Sequence, residues 1–262
     1  MTVTWLTQGG FLFELDGVRM VVDPYMSDGL ERSHGLARMV AFPLALAELR
    51  PDVLFCTHDH LDHLDPETVC AVADAYPSCR FAGPASCMAH FEKLGLAPSR
   101  CTLATLGERW TCGDLQVTPV AAFHSDPDAV GLVISDGHRR LYLSGDSVSA
   151  PELINAETRQ ADVVLICING RLGNMAVDEA LALVRTIQPR LALPMHYGLF
   201  AANTADPAPF VEGCAAMGIA SFAMQPGVPF KASRRCKRLS SVVSSCRKPY
   251  NARPPAASAV LL

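Results

Sequence analysis

Residues 57–63 read Thr57-His58-Asp59-His60-Leu61-Asp62-His63, with three imidazoles and a second carboxylate close together on one short segment. In extended backbone His58 and His60 fall on one side, because side chains alternate along a strand. A chain that turns after them brings Asp62 and His63 to a neighbouring point, so one loop can serve two nearby cations. Asp59 lies between two of these side chains and points away from both. The bland alternative, a histidine-rich surface loop, leaves each of these groups to find a partner of its own. The apolar run Val53–Cys56 just before predicts a buried strand. Pro66 just after suits the first position of a helix running to about Ala75.

Working outward, three more metal-capable side chains stand where apolar runs end. His124 follows Val120-Ala121-Ala122-Phe123, Asp146 lies in the turn Ser144-Gly145-Asp146-Ser147, and His196 lies in Pro194-Met195-His196-Tyr197. Sites of layered α/β folds collect at such strand ends. Each of the three read alone is an ordinary hydrogen-bonded histidine or a turn aspartate; beside the cluster they read as its completion. All seven side chains offer nitrogen or oxygen and none is a thiolate, which suits Zn²⁺, Mn²⁺ or Fe²⁺.

The remaining apolar segments set the architecture. Val3–Leu6, Phe11–Leu15 and Val18–Val22 predict strands, and Asp16-Gly17 is a hairpin signal. Strands are also predicted at Leu115–Ala122, Gly131–Ser135, Arg140–Ser144, Val163–Ile168 and Leu191–Pro194. Helices are predicted at Pro84–Leu94, Val177–Ile187 and Pro209–Met217. Strands early, then strand–helix alternation, give a layered α/β domain with helices outside the sheets. With half of its 262 residues hydrophobic and 18% charged, the chain can fill a sizeable core. We place one domain over residues 1–231.

Charge and cysteine usage narrow the function classes. From Lys231 onward there are eight Lys or Arg and no Asp or Glu, which leaves 14 basic residues against all 26 acidic ones before it. A body this acidic argues against a nucleic-acid surface, which needs clustered cations. The segment 232–262 reads as a basic, disordered tail. No apolar stretch is long enough to predict a membrane span, and the start has no signal-peptide pattern. Ten cysteines stand singly with no CxxC pair, as reduced thiols of a cytoplasmic protein would. A small molecule is the expected partner, and a homo-oligomer stays open.

The order HxHxDH, a strand-end His, an Asp in a Gly-Asp turn and a late His resembles the metallo-β-lactamase superfamily over roughly residues 1–230. The resemblance implies a four-layer αββα fold, two packed β-sheets with helices outside. It assigns His58, His60 and His124 to one metal ion, Asp62, His63 and His196 to a second, and Asp146 to both as a bridge. Val22-Asp23-Pro24 fits an Asp-Pro common there, in which Asp23 orients a ligand imidazole; otherwise Asp23 caps the next turn. Closer still, the chain is similar to the L-ascorbate-6-phosphate lactonase group. The shared features are Thr57-His58-Asp59-His60 with Asp62-His63, Ser144-Gly145-Asp146-Ser147, Ser33-His34-Gly35, and Pro194-Met195-His196 through Ala205-Asp206-Pro207.

Two ions about 3.5–4 Å apart would activate a bridging water for attack on a lactone or other ester. Asp146, Asp62 and His196 are then the catalytic candidates. The same site serves a phosphodiesterase, and a non-catalytic metal-binding protein of this fold is the remaining alternative. Candidate substrate contacts are Arg171, able to clamp an anion, with Asn169, Tyr197 and His34. Each has a plain alternative as a surface or packing residue. Truncation after Lys231 is expected to leave folding and hydrolysis intact, as checked by circular dichroism and turnover of the shortened chain.

Overall fold

The Asp16-Gly17 pair turns the chain because both residues take positive φ, 49° and 86°, the geometry of a two-residue hairpin whose twist matches its strands. In the computed structural model, which describes residues 1–232, this turn joins β2 (Gly10–Leu15) to β3 (Val18–Val22). Except for Ala232, the basic tail expected at 232–262 lies outside the described residues. β1 (Thr2–Thr7) pairs antiparallel with β2, and β13 (Pro229–Lys231) pairs antiparallel with β1. Beyond β3 the sheet continues in parallel through β4 (Val53–Phe55), β5 (Arg80–Gly83) and β6 (Cys101–Leu103). The order of this seven-stranded sheet is β13-β1-β2-β3-β4-β5-β6.

A second, six-stranded sheet has the order β12-β11-β10-β9-β8-β7. Its strands are β7 (Trp110–Cys112), β8 (Leu115–Ala121), β9 (Val130–Ser135), β10 (Arg140–Leu143), β11 (Val163–Cys167) and β12 (Leu191–Met195). β7 to β10 run as an antiparallel meander; β10, β11 and β12 are parallel. Helices connect the parallel strands: α3 (Pro66–Ala75) follows β4, α4 (Ala85–Lys93) follows β5, and α5 (Val177–Ile187) follows β11. α6 (Ala208–Ala216) follows β12 and packs on α5, while the short α1 (Gly29–His34) and α2 (Leu46–Leu49) lie between β3 and β4. Asp65 caps α3 by accepting from the Glu67 N–H at 3.2 Å, with Pro66 at the first helical position.

Period-two alternation divides the first sheet's side chains between two cores. Phe11, Phe13, Met20, Val22, Val53 and Phe55 enter the space between the sheets with Val117, Leu132, Ile134, Leu141 and Leu143. Their neighbours Leu12, Val21 and Leu54 turn to the other face, where Val69, Val72 and Phe91 of α3 and α4 cover them. Burial on both faces is why these strands read as continuous apolar runs rather than alternating ones. Phe55 also stacks on Trp110 of β7, with centroids 6.1 Å apart and planes 4° from parallel. The four-layer αββα architecture expected from the sequence is the one observed.

The strands that the sequence did not announce are short and mostly peripheral. β6, β7 and β13 are sheet edges of three residues each. Their pairing comes from a neighbour already in place rather than from a pattern of their own. No helix among the described residues is long and apolar enough to cross a membrane. Phe13 has no solvent exposure and fills the space between the sheets; Phe13→Ala is expected to cost about 3–5 kcal/mol in denaturant unfolding.

Candidate metal centre

β1, β3, β4, β8, β10, β11 and β12 deliver their C-terminal ends to one edge of the sandwich, and the chemistry is there. Gln8 follows β1, Asp23 follows β3, and the loop from Thr57 to His63 follows β4. From the facing sheet come His124 after β8, Asp146 after β10, Asn169 after β11 and His196 after β12. Three of these turn residues hold positive φ without being glycine: Gln8 at 50°, Asp23 at 45° and His196 at 62°. Such backbone costs of order 1–3 kcal/mol each and clusters at functional sites. A hydrogen bond from His196 N–H to the Gln8 carbonyl, 3.1 Å, stitches the two sheets together at this edge.

The seven side chains named from the sequence converge. The potential ligand atoms of His58, His60 and His124 lie within 4.8 Å of one another, as do those of Asp62, His63 and His196, and those of His58, His63 and Asp146. Within the first group His124 Nε2 is 3.1 Å from His60 Nδ1. Within the second, His63 Nε2 is 3.4 Å from His196 Nε2, and Asp62 Oδ2 is 3.7 and 3.8 Å from the same two nitrogens. Asp146 Oδ2 stands between the groups, 3.0 Å from His196 Nε2, 3.5 Å from His63 Nε2 and 3.9 Å from His124 Nε2.

Outside this inner ring, other groups fix how the rings face. Asp23 Oδ2 accepts from His63 Nδ1 at 2.7 Å, and Asp23 is itself held by the Thr57 N–H and hydroxyl at 2.7 and 2.6 Å. His124 Nδ1 donates to the Gly173 carbonyl at 3.1 Å, Ser125 Oγ is 3.1 Å from His60 Nε2, and Thr57 Oγ1 is 3.1 Å from His58 Nδ1. In each case the outward nitrogen is engaged and the other is turned inward, the arrangement that orients histidine ligands. Gln8 Nε2 donates to Asp62 Oδ2 and Asn174 Nδ2 to Asp146 Oδ2, both at 2.8 Å. Sequence reasoning did not find Gln8, Asn174 or Ser125. Gly9 lies against the same cluster: a Cβ there would come within 2.6 Å of the His63 ring.

The electrostatics suit a cation. Burial, with His63 beside it, holds the His58 imidazole well below its ordinary pKa, and burial lowers His124. Both rings therefore stay neutral, the form that ligates metal. Burial works against a charged His63, but Asp146, Asp62 and Asp23 outweigh it and raise its pKa well above the usual value. Burial also works to raise Asp146, yet His196 and His63 hold it well below the usual carboxylate range. Positive charge is thus stabilised between these carboxylates, and a divalent ion supplies it as a proton does. His58 Nε2 and Asp146 Oδ1 are buried without a hydrogen-bond partner, which a metal would resolve. On these grounds the residues fit divalent metal.

A cavity of about 550 Å³ opens onto His60, Asp62, His124 and Asp146 and is lined further by Leu30, His34, Leu36, Leu61, Leu172, Phe200 and Asn203. Of the four expected substrate contacts, His34 lines it, from the end of α1. Asn169 is buried behind the wall, donating to Asn203 Oδ1 at 2.7 Å. Asn169, Tyr197 and Arg171, all expected as substrate contacts, stand outside the cavity lining. Tyr197 turns away: its hydroxyl donates to the Met224 carbonyl at 3.1 Å and its ring packs on Trp5, because His196 reverses the chain beside it. Arg171 is exposed and outside the lining. Asp59 faces outward to His90, 3.5 Å away.

This fold and edge-sited His/Asp cluster define a known class. The Beta-lactamase superfamily domain matches residues 18–197, and the chain belongs to the metallo-β-lactamase superfamily. It is similar to the UPF0173 metal-dependent hydrolase MK1542 of Methanopyrus kandleri, 28% identical over 84% of this chain and 94% of that one. A UPF0173 metal-dependent hydrolase of Pyrobaculum arsenaticum is 26% identical over 87% and 98%. Among solved structures it is similar in fold to Igni18, a metallo hydrolase of Ignicoccus hospitalis, with TM-score 0.71, 21% identity and coverage of 88% and 99%. It is likewise similar to an isothiocyanate hydrolase from Delia radicum gut bacteria, with TM-score 0.73, 18% identity and coverage of 89% and 99%.

Asp23→Asn keeps the shape but weakens the grip on His63. Metal affinity is expected to fall about 10- to 100-fold, measured by competition with a chromophoric chelator.

Proposed function

We propose that this metal-dependent hydrolase of the metallo-β-lactamase fold holds two divalent ions, Zn²⁺ or Mn²⁺, and cleaves a lactone or other ester of a small molecule. The observation that carries the reading is the position of Asp146 Oδ2 between two three-residue groups, His58/His60/His124 and Asp62/His63/His196. The first group would hold one ion, the second another, and Asp146 both. When bound, such a pair acidifies water towards neutrality and polarises the attacked oxygen.

The chain's own residues do the rest. Asp146 and Asp62 place negative charge around the pair, and Asn174 and Gln8 fix those carboxylates in one orientation. Asp146 is the group positioned to receive the proton of the attacking water at a carboxylate oxygen. Thr57 and Asp23 keep the imidazole of His63 turned inward. His34 lines the same cavity and would contact the substrate there. Among the described cysteines, Cys56, Cys87 and Cys167 are buried with thiols pushed up by burial, which leaves them protonated and unsuited to nucleophilic attack.

Two measurements test the reading. Purified, metal-replete protein is expected to hold about two divalent ions per chain by elemental analysis, with His60→Ala losing most of at least one; absence of stoichiometric metal overturns it. Asp146→Asn is expected to lower metal affinity and to reduce kcat by about 10² or more on the best ester found in a lactone and phosphodiester screen. Near-normal kcat in that variant removes Asp146 from its central role, and preferred turnover of the diesters shifts the reaction to phosphodiester cleavage.

A further inference from the structure

Away from the metal-facing groups, the cavity wall is hydrocarbon: Leu30, Leu36, Leu61, Leu172 and Phe200. Leu30 and Phe200 are buried together with Tyr25 and Leu199 in a small core of their own, on which Leu36 and Leu61 pack. The Met39 N–H donates to the Leu199 carbonyl at 2.7 Å, and Arg38 pairs with Phe200 in a β-bridge, so the two segments forming this wall are tied to each other. The wall is therefore built, not an accident of loose surface side chains.

No Lys or Arg among the described residues lines the cavity. Arg38 is engaged with Asp28 and with the carbonyls of Tyr25 and Ser27, and Arg32 pairs with Glu67. An anionic tail placed against these leucines and Phe200 would lose its hydration and meet no Lys or Arg among the described residues, whereas an alkyl or aryl group gains by leaving water.

His34 and Asn203 interrupt the hydrocarbon, and the orientation of Asn203 can be derived. Asn169 Nδ2 lies 3.3 Å from the Arg171 carbonyl, which can only accept, so this end of Asn169 is the NH₂. The Asn203 atom that Asn169 Nδ2 meets at 2.7 Å is then Oδ1. Asn203 consequently keeps its own NH₂ for a ligand, and it lines the cavity.

We propose, building on the hydrolase reading above, that the substrate is an uncharged acyl compound with an apolar body. That body sits against Leu30, Leu36, Leu61, Leu172 and Phe200 while Asn203 Nδ2 donates to one of its acceptor atoms. Asn203 and the hydrocarbon wall then set specificity, and the metal centre sets the reaction.

The test uses the metal-loaded full chain with γ-lactones and methyl esters of increasing alkyl length, each beside its counterpart carrying a terminal carboxylate. kcat/KM is expected to rise about three- to fourfold per methylene until the cavity is full, with each carboxylated compound roughly tenfold or more below its neutral partner. Leu172→Lys, at a half-exposed rim position, is expected to close much of that gap by adding a cation. Asn203→Ala is expected to lower the whole neutral series about three- to tenfold without changing its slope against chain length. A flat series, or carboxylated compounds turned over as well as neutral ones, overturns the apolar assignment; an unshifted series or a changed slope removes Asn203 as donor. If no compound is turned over while metal is bound, the hydrolase reading fails on its own. Calorimetry with the matching alkylamides and their carboxylated forms then decides selectivity: tighter binding with length upholds it, and equal or tighter binding of the anions rejects it.

Discussion

Asp146 is 4% exposed, and three imidazole nitrogens stand within 4 Å of its Oδ2. A carboxylate taken this far out of water is tolerated only where positive charge is supplied to it. Asp62 and Asp23 add further negative charge within reach of the same histidines. Much of the surrounding structure serves to keep these groups together against their repulsion and desolvation. Gln8 and Asn174 take one oxygen each of Asp62 and Asp146, and Thr57 holds both oxygens of Asp23. The cluster is thus a preformed cation site whose carboxylates cannot swing away to solvent.

The sandwich makes that arrangement possible because parallel strand direction is shared across its two sheets at one edge. β3 and β4 run parallel to each other in one sheet, as do β10, β11 and β12 in the other, so their ends carry side chains into a common space. Hairpins alone would return half of the chain ends to the far edge. The crossover helix α5 therefore does more than cover hydrocarbon: it resets the chain so that β12 ends at the site. Gly145, at φ 61°, permits the chain to leave β10 where a Cβ would meet the Val130 carbonyl at 2.6 Å, and that turn aims Asp146 inward.

How much of this was legible in the sequence follows from how local each feature is. His58, His60, Asp62 and His63 lie on one loop, so their spacing alone brings them near one point. His124, Asp146 and His196 could be recognised because each directly follows an apolar run. Gln8, Asn174 and Asn203 carry no such mark; each acts on a residue at least 28 positions away, and only the packed sheets create the contact. Tyr197 shows the converse error. Adjacency to His196 in sequence suggested adjacency in space, but the left-handed backbone at His196 sends the two side chains in different directions. Most interior strands were legible from unbroken apolar runs; the short interior β5 and the edges β6, β7 and β13 were not, the edges because their conformation is imposed by a partner.

The candidate site has two parts with different structural origins. The metal-facing residues sit on strand ends anchored in the main core between the sheets. The hydrocarbon wall comes instead from the segment after β3 and the segment after β12, which pack on each other through Tyr25, Leu30, Leu199 and Phe200. That small core reaches the His/Asp cluster through Leu61, within the loop from Thr57 to His63, and through Asn203, which bonds to Phe200 and which Asn169 links to the end of β11. Substitutions in the wall can therefore reshape what the cavity accepts while the strand ends keep their geometry, because the two sets of side chains belong to separate packing units. In the proposed reading, binding energy gathered along the wall would orient the scissile bond without any contact to the metal-facing groups. A single cluster of histidines and aspartates is in this way compatible with different substrates, according to which side chains the two flanking segments present.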